Sequence, residues 1–258
     1  MQISHEDIKA LKTAKDLLEN PGIAAKITNL IGTPIEKGFK LLPKNWNRKI
    51  SNVTRDALLY SLKGALMTMG STETVSYPIW HKFAATVSGG VGGAFGFSAL
   101  AIELPISTTI MLRSIADIAR ANGEDLSDAN VRLACLEVFA LGGPKSSDNA
   151  SESGYFAVRA ALGRAVSKAA EFLANKTITE EGAPPLARLI AAIAARYQIQ
   201  VSEKAAAMAI PTIGAIGGSV INYLFIDHFQ NMSRGHFTVR RLERKYTPEL
   251  VKEGYDSL

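Results

Sequence analysis

The chain has 258 residues, of which 47% are hydrophobic and 21% are charged, and its mean hydropathy is +0.08. That composition is typical of a globular, helix-forming chain and falls short of an integral membrane transporter. The net charge of +5 and the isoelectric point of about 9.2 fit an anionic partner, either nucleic acid or the inner face of a membrane, or else a solvated basic surface without a partner.

The cysteine content and the N-terminus indicate the compartment. The single cysteine, Cys135, lies in an apolar run, so no intrachain disulfide can form and a reducing compartment is expected. The first 20 residues carry acids and lack the continuous apolar stretch of a secretory signal. We therefore expect a cytoplasmic protein, located either in bulk solution or peripherally at the inner face of the membrane.

The first 50 residues predict amphipathic helices. Ser4 and Asp7 have the spacing of a helix-capping box, and an apolar stripe follows them. Pro34 and Pro43 divide a basic amphipathic segment that reaches Trp46 into short helices. Such a segment is typical of an interfacial membrane helix, and equally of an ordinary surface helix in a basic protein.

Two long segments carry no charge, residues 83–102 and residues 205–226. In the first, the glycines of 88–96 recur at intervals of four, which on a helix lets a partner backbone approach closely. They lack the Lys-Ser/Thr ending of a phosphate-binding loop. The second segment is long enough to cross a membrane, but its proline and its polar residues weaken that interpretation. Both segments predict either a buried helical core or a hairpin that inserts into a membrane.

The strongest helix prediction covers residues 106–122. An apolar face opposes a stripe of alternating charges, and exposed pairs of this kind are worth roughly 0.3–0.5 kcal/mol each. A capped helix should follow and end at the glycine pair 142–143, then a loop or insert at 143–154, an alanine-rich helix, and a helix opened by Pro184. The charged stripe consists of Arg113, Asp117, Arg120 and Glu124.

The two uncharged segments end in a similar way. The first arrives at Glu103, the second arrives at Asp227 and His228, and a helix with arginines follows each. Helices rich in small residues pack tightly, so we expect a central pair whose ends bring these three side chains into one neighbourhood. His236 lies eight residues beyond His228, and Gly235 makes an unbroken helix between them doubtful.

Three long motifs resemble the EcsC protein family, which is bacterial and is named for a protein encoded beside the two components of an ABC transporter. The motifs are "GGVGGAFGFSALAIELPISTTIMLRSIADIARANGEDL", "RLACLEVFALGG" and "AIPTIGAIGGSVINYLFIDHFQNMSRGHFTVRRLERKY", in family order between about residue 50 and residue 246. The resemblance implies a largely helical protein whose molecular function is not established. Carried over by motif, the predicted binding residues are Glu103, Thr108, Thr109, Arg113, Asp117, Asn222, Asp227, His228, Arg234, His236 and Arg240.

We therefore predict an all-α protein with a single helical domain, in which two Gly-rich apolar central helices are wrapped by amphipathic helices. An N-terminal amphipathic segment covers residues 1–50, and the EcsC-like domain with its insert covers 51–246. A C-terminal tail covers 247–258.

The predicted function is that of a non-enzymatic, membrane-peripheral or transport-accessory protein that binds lipid or another anionic ligand without a cofactor. Arg113 and Arg240 would bind the anion, carboxylates would orient them, and His228 would make the site sensitive to pH. The expected partners are an anionic lipid surface and a membrane transporter. Nucleic acid is not expected, because the sequence has no zinc-finger, RRM or KH signature.

Two other interpretations of the same residues remain open. A metal-dependent hydrolase would use Glu103, Asp227 and His228, although no HExxH or His-x-His cluster accompanies them. A purely structural network of charges would hold helices in register without binding anything.

Overall fold

The structure is a computed structural model. The residues that it describes form ten α-helices and one short 3₁₀ helix and contain no strand, which confirms the all-α prediction. They are residues 3–19, 22–32, 34–68, 96–143, 154–175, 184–210 and 218–258. The helices are α1 (His5–Glu19), α2 (Ile23–Ile31), α3 (Glu36–Leu41), α4 (Trp46–Thr68), α5 (Gly96–Ala121), α6 (Ala129–Glu137), the 3₁₀ helix (Val138–Ala140), α7 (Gly154–Asn175), α8 (Pro184–Ala209), α9 (Gly218–Lys245) and α10 (Pro248–Ser257).

Helix α1 begins where the capping-box spacing predicts. The backbone N–H of Asp7 donates to the Ser4 hydroxyl oxygen at 3.2 Å, and that hydroxyl donates to the Asp7 carboxylate at 2.9 Å. The helix packs against α9, where a Cβ atom on Gly235 would lie 2.6 Å from Leu18 Cγ. The expectation that Gly235 interrupts its helix is wrong, because α9 continues through it. The glycine serves close helix packing instead.

The basic amphipathic segment forms the short helices that its prolines predict, α2 and α3, and both lie against α8. The Glu203 carboxylate of α8 accepts a hydrogen bond from the backbone N–H of Ala24 in the first turn of α2. Gly38 of α3 lies so close to α8 that a Cβ atom there would be 2.0 Å from the Ala206 carbonyl oxygen. Ile23, Ile27 and Ile35 of the apolar face of this segment are buried inside the protein.

Helix α5 is longer than predicted. It runs from Gly96 to Ala121 through Pro105, instead of starting at residue 106. Pro105 cannot donate to the fourth preceding carbonyl, and one turn later the Thr109 hydroxyl donates to the Pro105 carbonyl oxygen at 2.8 Å. Glu103 is therefore a residue inside a helix rather than one that precedes a helix.

The predicted charged stripe of α5 is divided. Asp117 and Arg120 form the expected exposed pair at 2.9 Å. Glu124 lies beyond the end of α5, is buried, and pairs with arginines of α9. The opposite, apolar face is confirmed as core, since four of its members are buried: Ile110, Met111, Ile115 and Ala119.

The capped helix and its glycine stop are confirmed. Asp128 caps α6 by accepting a hydrogen bond from the backbone N–H of Asn130 at 2.8 Å. After the 3₁₀ helix, Gly142 adopts a φ of +72°, a conformation that favours glycine. A Cβ atom there would also lie 2.5 Å from the His228 ring of α9, so the turn requires glycine for two reasons. Helix α8 begins at the predicted Pro184.

Helices α5 and α9 run side by side in the same direction. Ser114 accepts a hydrogen bond from Gln230 at 2.9 Å, and Glu124 accepts one from Arg240 at 2.8 Å. The two residues of each pair are 116 positions apart in the sequence, so moving ten residues along α5 corresponds to moving ten residues along α9 in the same direction. Within the described part of the chain, the first turns of α5 and α9 therefore lie at one end of this helix pair, and their last turns lie at the opposite end.

The two uncharged segments lie partly outside the described residues. Residues 96–102 form the first turns of α5, whereas most of the predicted Gly-rich helix at 88–96 is not described. Residues 205–209 end α8 and residues 218–226 begin α9, so the second segment is not one continuous helix. The arrangement of two Gly-rich central helices stays a prediction.

The contact between α3 and α8 can be tested by replacing Gly38 with alanine. The new methyl group would meet the Ala206 carbonyl oxygen at 2.0 Å, so we expect a loss of about 1–3 kcal/mol in the free energy of unfolding, measured by urea denaturation. The matched control is Gly163→Ala on α7, where nothing lies within 4 Å of the new Cβ atom. There the better helix propensity of alanine should add up to about 1 kcal/mol. Equal stabilisation of both variants would contradict the close contact.

Candidate functional site

A buried ion pair joins α5 to α8. Lys204 Nζ donates to Glu103 Oε1 at 2.5 Å, and the side chains are 1% and 7% exposed. The same ammonium lies 4.7 Å from the ring centroid of Phe225, a cation–π contact that adds α9. Buried charges are costly to remove from water and need close partners. These three side chains therefore favour one arrangement of α5, α8 and α9.

Polar groups continue from this pair into the core. Tyr197, two turns before Lys204, shares a hydrogen bond of 2.9 Å with Thr108 of α5. Burial raises the pKa of the Tyr197 hydroxyl, so the phenol stays protonated. Thr109, predicted to act beside Thr108, faces α4 instead and lies 3.1 Å from the Ser61 hydroxyl. Three rings surround Tyr197: Phe139, Phe225 and Phe229.

His228 lies in a buried and neutral environment. A ring N–H donates to the Leu141 carbonyl, which also accepts a hydrogen bond from Gln200 Nε2 at 3.0 Å. The His228 Nε2 and Gln200 Oε1 atoms have no hydrogen-bond partner in the described part of the chain. Burial, together with the charge of Lys26, lowers the pKa of His228 to about 4. The imidazole is therefore neutral at pH 7 and offers no positive charge to an anion.

The acid next to this histidine in the chain has a different set of partners. Asp227 pairs with Lys26 of α2 at 3.5 Å and accepts a hydrogen bond from Asn231 at 3.0 Å. Glu103, Asp227 and His228, which the sequence places in one neighbourhood, therefore have different partners. Glu103 pairs with Lys204 of α8, Asp227 with Lys26 of α2, and His228 with the Leu141 carbonyl. Among the described residues, no group of three or more His, Cys, Asp or Glu side chains is arranged to hold a metal ion. The geometry therefore gives the metal-hydrolase alternative no support.

His236 belongs to a second buried polar cluster, between α6, α7 and α9. Its Nδ1 atom shares a hydrogen bond of 3.0 Å with the Tyr155 hydroxyl. One turn after Tyr155, Arg159 forms a bidentate ion pair with Glu243, with hydrogen bonds of 2.7 and 3.0 Å. Burial, reinforced by nearby arginines, holds the pKa of His236 well below its usual value, and burial raises the pKa of Glu137 to about 7. The hydrogen bonds and the ion pair of this cluster connect α7 to α9, and its histidine, His236, is uncharged at neutral pH.

The basic residues in the last turns of α9, which we call the C-terminal basic run, are paired with two acids of the protein; they are Arg240, Arg241, Arg244 and Lys245. Arg240 and Arg244 both pair with buried Glu124, Arg240 at 2.8 Å. Lys245 pairs with the Asp7 carboxylate at 2.7 Å, and hydrogen bonds from the side chains of Lys245, Tyr246 and Ser4 lower the pKa of Asp7 to about 2. The run therefore ties α9 to α1 and to the segment after α5.

The remaining predicted residues are distributed along α5 and α9. Asp117 pairs with an arginine on its own helix, in solvent. Arg234 donates to Asn231 at 2.7 Å, and Arg113 is half-buried. The Oδ1 atom of Asn222 is buried without a hydrogen-bond partner among the described residues. The structure thus divides the predicted binding residues among several places.

Three central residues are missing from the predicted site, and one of them has a sequence signal. Lys204 is the last charge before the second uncharged segment, just as Glu103 is the first charge after the first one. Opposite charges at the borders of two apolar segments are natural partners when the segments pack together. Tyr197 and Gln200 have no comparable signal, because they sit in the middle of an amphipathic helix.

The described residues also carry a group of exposed cations, which we call the α3–α4 basic surface. Residues 36–48 contain four cations and one acid, Glu36, for a local net charge of +3. None of the four cations forms an ion pair with another described residue. Leu41, 56% exposed, lies among them, and the Phe39 and Trp46 rings pack beneath at a centroid distance of 5.6 Å. The four cations are Lys37, Lys40, Lys44 and Arg48.

Comparison with known proteins identifies the family of the chain. The chain matches the model of the EcsC protein family over residues 5–242, nearly its whole length, and it belongs to that family. No curated protein and no solved structure matches it. No helix in the described part of the chain is long and apolar enough to cross a membrane.

The buried ion pair can be tested by removing one partner and then both. Lys204→Met leaves the Glu103 carboxylate buried without its cation, so we expect a loss of about 3–5 kcal/mol in the free energy of unfolding. The double variant K204M/E103L should recover most of that loss, because no charge is left in the core. Lys168→Met on the exposed face of α7 is the control and should change stability by less than about 0.5 kcal/mol. A K204M variant as stable as this control would contradict the pair.

The neutral state of His228 predicts an acid-sensitive fold. The pKa of His228 falls from 6.5 in the unfolded chain to about 4 in the folded protein. The free energy of unfolding is therefore unaffected by this group above pH 6.5 and decreases as the pH falls towards 4, because only the unfolded chain takes up the proton in that range. A shift of that size corresponds to about 3 kcal/mol. His228→Asn, which keeps an amide donor for the Leu141 carbonyl, should remove this part of the pH dependence. The free energy of unfolding of the wild-type protein and of the variant is measured from pH 7 to pH 4. Equal slopes against pH in the two proteins would contradict a buried, neutral His228.

Proposed function

We propose that this EcsC-family protein binds peripherally to anionic membrane surfaces through the α3–α4 basic surface. The observation that carries the proposal is the contrast between two basic regions. The C-terminal run has buried acids as partners, whereas the four cations of the α3–α4 basic surface are exposed and have no acidic partner among the described residues. Unneutralised cations beside an exposed aliphatic side chain are the features that an anionic lipid surface attracts.

The expected strength of this interaction suits reversible binding. A lysine or arginine near an anionic leaflet contributes roughly 1 kcal/mol, so a local charge of +3 supplies a few kcal/mol. The attraction falls off within a Debye length of about 8–10 Å at physiological salt. Binding should therefore depend strongly on salt and on lipid charge.

The sequence assigns anion binding to Arg113 and Arg240, whereas the proposal assigns it to the α3–α4 basic surface. Arg240 is held by Glu124 at 2.8 Å, and an incoming phosphate would have to compete with that carboxylate. His228 is buried and neutral, so it does not add a pH-dependent charge at neutral pH. A membrane transporter as a further partner is compatible with a peripheral position and rests on the family resemblance.

Charge reversal on α3 tests the proposed surface. The variant K37E/K40E should lose at least ~2 kcal/mol of attraction, which weakens partitioning onto phosphatidylserine-containing vesicles about thirtyfold. The control R164E/K168E reverses two exposed cations of α7 and changes the net charge by the same amount, so its partitioning should fall much less. Co-sedimentation at low salt measures both. Equal losses in the two variants would show that overall charge, and not this surface, governs binding.

A further inference from the structure

The α3–α4 basic surface lies at the same end of the molecule as the first turns of α5 and α9. Glu103 of α5 pairs with Lys204 of α8, and Phe225 of α9 packs on the same ammonium. Two residues after Lys204, the Ala206 carbonyl touches Gly38 of α3. A short chain of contacts therefore joins α3 to the N-terminal parts of α5 and α9.

Exposed apolar side chains occur at this end. Ile102 of α5 is 65% exposed, and Val220 and Tyr223 of α9 are 40% and 68% exposed. No charged residue occurs in 96–102 or in 218–226, the first turns of the two helices. Glu103, the residue after Ile102, is buried and forms an ion pair with buried Lys204.

Resting on the proposed function, we infer that Ile102, Val220 and Tyr223 enter the lipid headgroup and acyl boundary when the α3–α4 basic surface contacts the membrane. Exposed cations at the same end as exposed aliphatic and aromatic side chains match the chemistry of an anionic leaflet, where phosphates lie above the acyl chains. Tyrosine suits that depth because its ring is apolar and its hydroxyl can remain in water. An acidic protein would complement the cations but would leave the uncharged ends of α5 and α9 unmatched.

The inferred orientation places the opposite end of the molecule in solvent. Along α9, Val220 is 25 residues from Lys245, or about 37 Å at 1.5 Å per residue. At that far end Lys245 pairs with Asp7 of α1, and the neighbouring Ile8 is 39% exposed. Ile8 is thus an exposed aliphatic residue that the bound membrane should not reach.

Depth-dependent fluorescence quenching tests the inference directly. Ile102→Cys, Tyr223→Cys and Ile8→Cys would each be labelled with an environment-sensitive fluorophore. The native Cys135 is fully buried, so it should not react. The labelled proteins are bound to phosphatidylserine-containing vesicles in which a fraction of the lipids carries bromine on the acyl chains. We expect a blue shift and a several-fold stronger loss of emission at 102 and 223 than at 8.

The possible outcomes separate the inference from the function on which it rests. Vesicle binding without quenching at 102 and 223, or with equal quenching at 8, overturns the inferred orientation and leaves peripheral binding standing. The exposed apolar end would then be available to a protein or to a second copy of this chain. If none of the labelled proteins, nor the unlabelled one, binds the vesicles, the proposed function and the inference both fail.

Discussion

The buried ion pair between Lys204 and Glu103 is the interaction on which the rest of this structure depends. It fixes α8 against α5, and the contact of Lys204 with Phe225 brings in α9. The position of α8 in turn determines where α3 lies, because Gly38 fits against the Ala206 carbonyl one half-turn beyond the lysine. A charge pair removed from water does not tolerate partial opening, since either partner alone would be left unneutralised in the core.

This constraint gives the molecule two ends with different electrostatics. At one end, Glu124 and Asp7 pair with the C-terminal basic run of α9 and hold α1 in place. At the other end, the α3–α4 basic surface and the side chains of Ile102, Val220 and Tyr223 are exposed. Cations that find acids within the protein serve its stability, whereas cations left in solvent are available to a partner. The proposed membrane contact follows from that asymmetry.

The sequence predicts those parts of the fold in which the interacting groups lie within one helical turn of each other in the chain. Ser4 with Asp7 and Asp128 with Asn130 cap helices as their spacing indicates, and Pro34 and Pro43 separate short helices. Each of these depends on backbone groups only two or three residues away. Local rules fail where tertiary packing overrides them. Pro105 lies inside α5, and Gly235 serves the close approach of α1 to α9 instead of breaking a helix.

The candidate site is harder to predict because its bonds connect distant parts of the chain. Glu103 and Lys204 are 101 residues apart, and Asp7 and Lys245 are 238 apart. The motif pattern identifies Glu103 as important but assigns it to the neighbourhood of Asp227, because both acids follow uncharged segments. Only the packing of helices shows that the cation at the border of the second segment is the partner. The α3–α4 basic surface likewise becomes visible only once the C-terminal cations are seen to have partners.

Co-sedimentation of the purified, detergent-free protein with vesicles is the most direct measurement. Vesicles of phosphatidylcholine alone and of phosphatidylcholine mixed with phosphatidylserine would be compared at low and at high salt. Peripheral binding through exposed cations and an apolar end predicts that the protein pellets with the anionic vesicles at low salt. Much of it should be released at high salt, and little should bind the neutral vesicles. A protein that stays in the supernatant under every condition, or binds both vesicles equally, would contradict the claim.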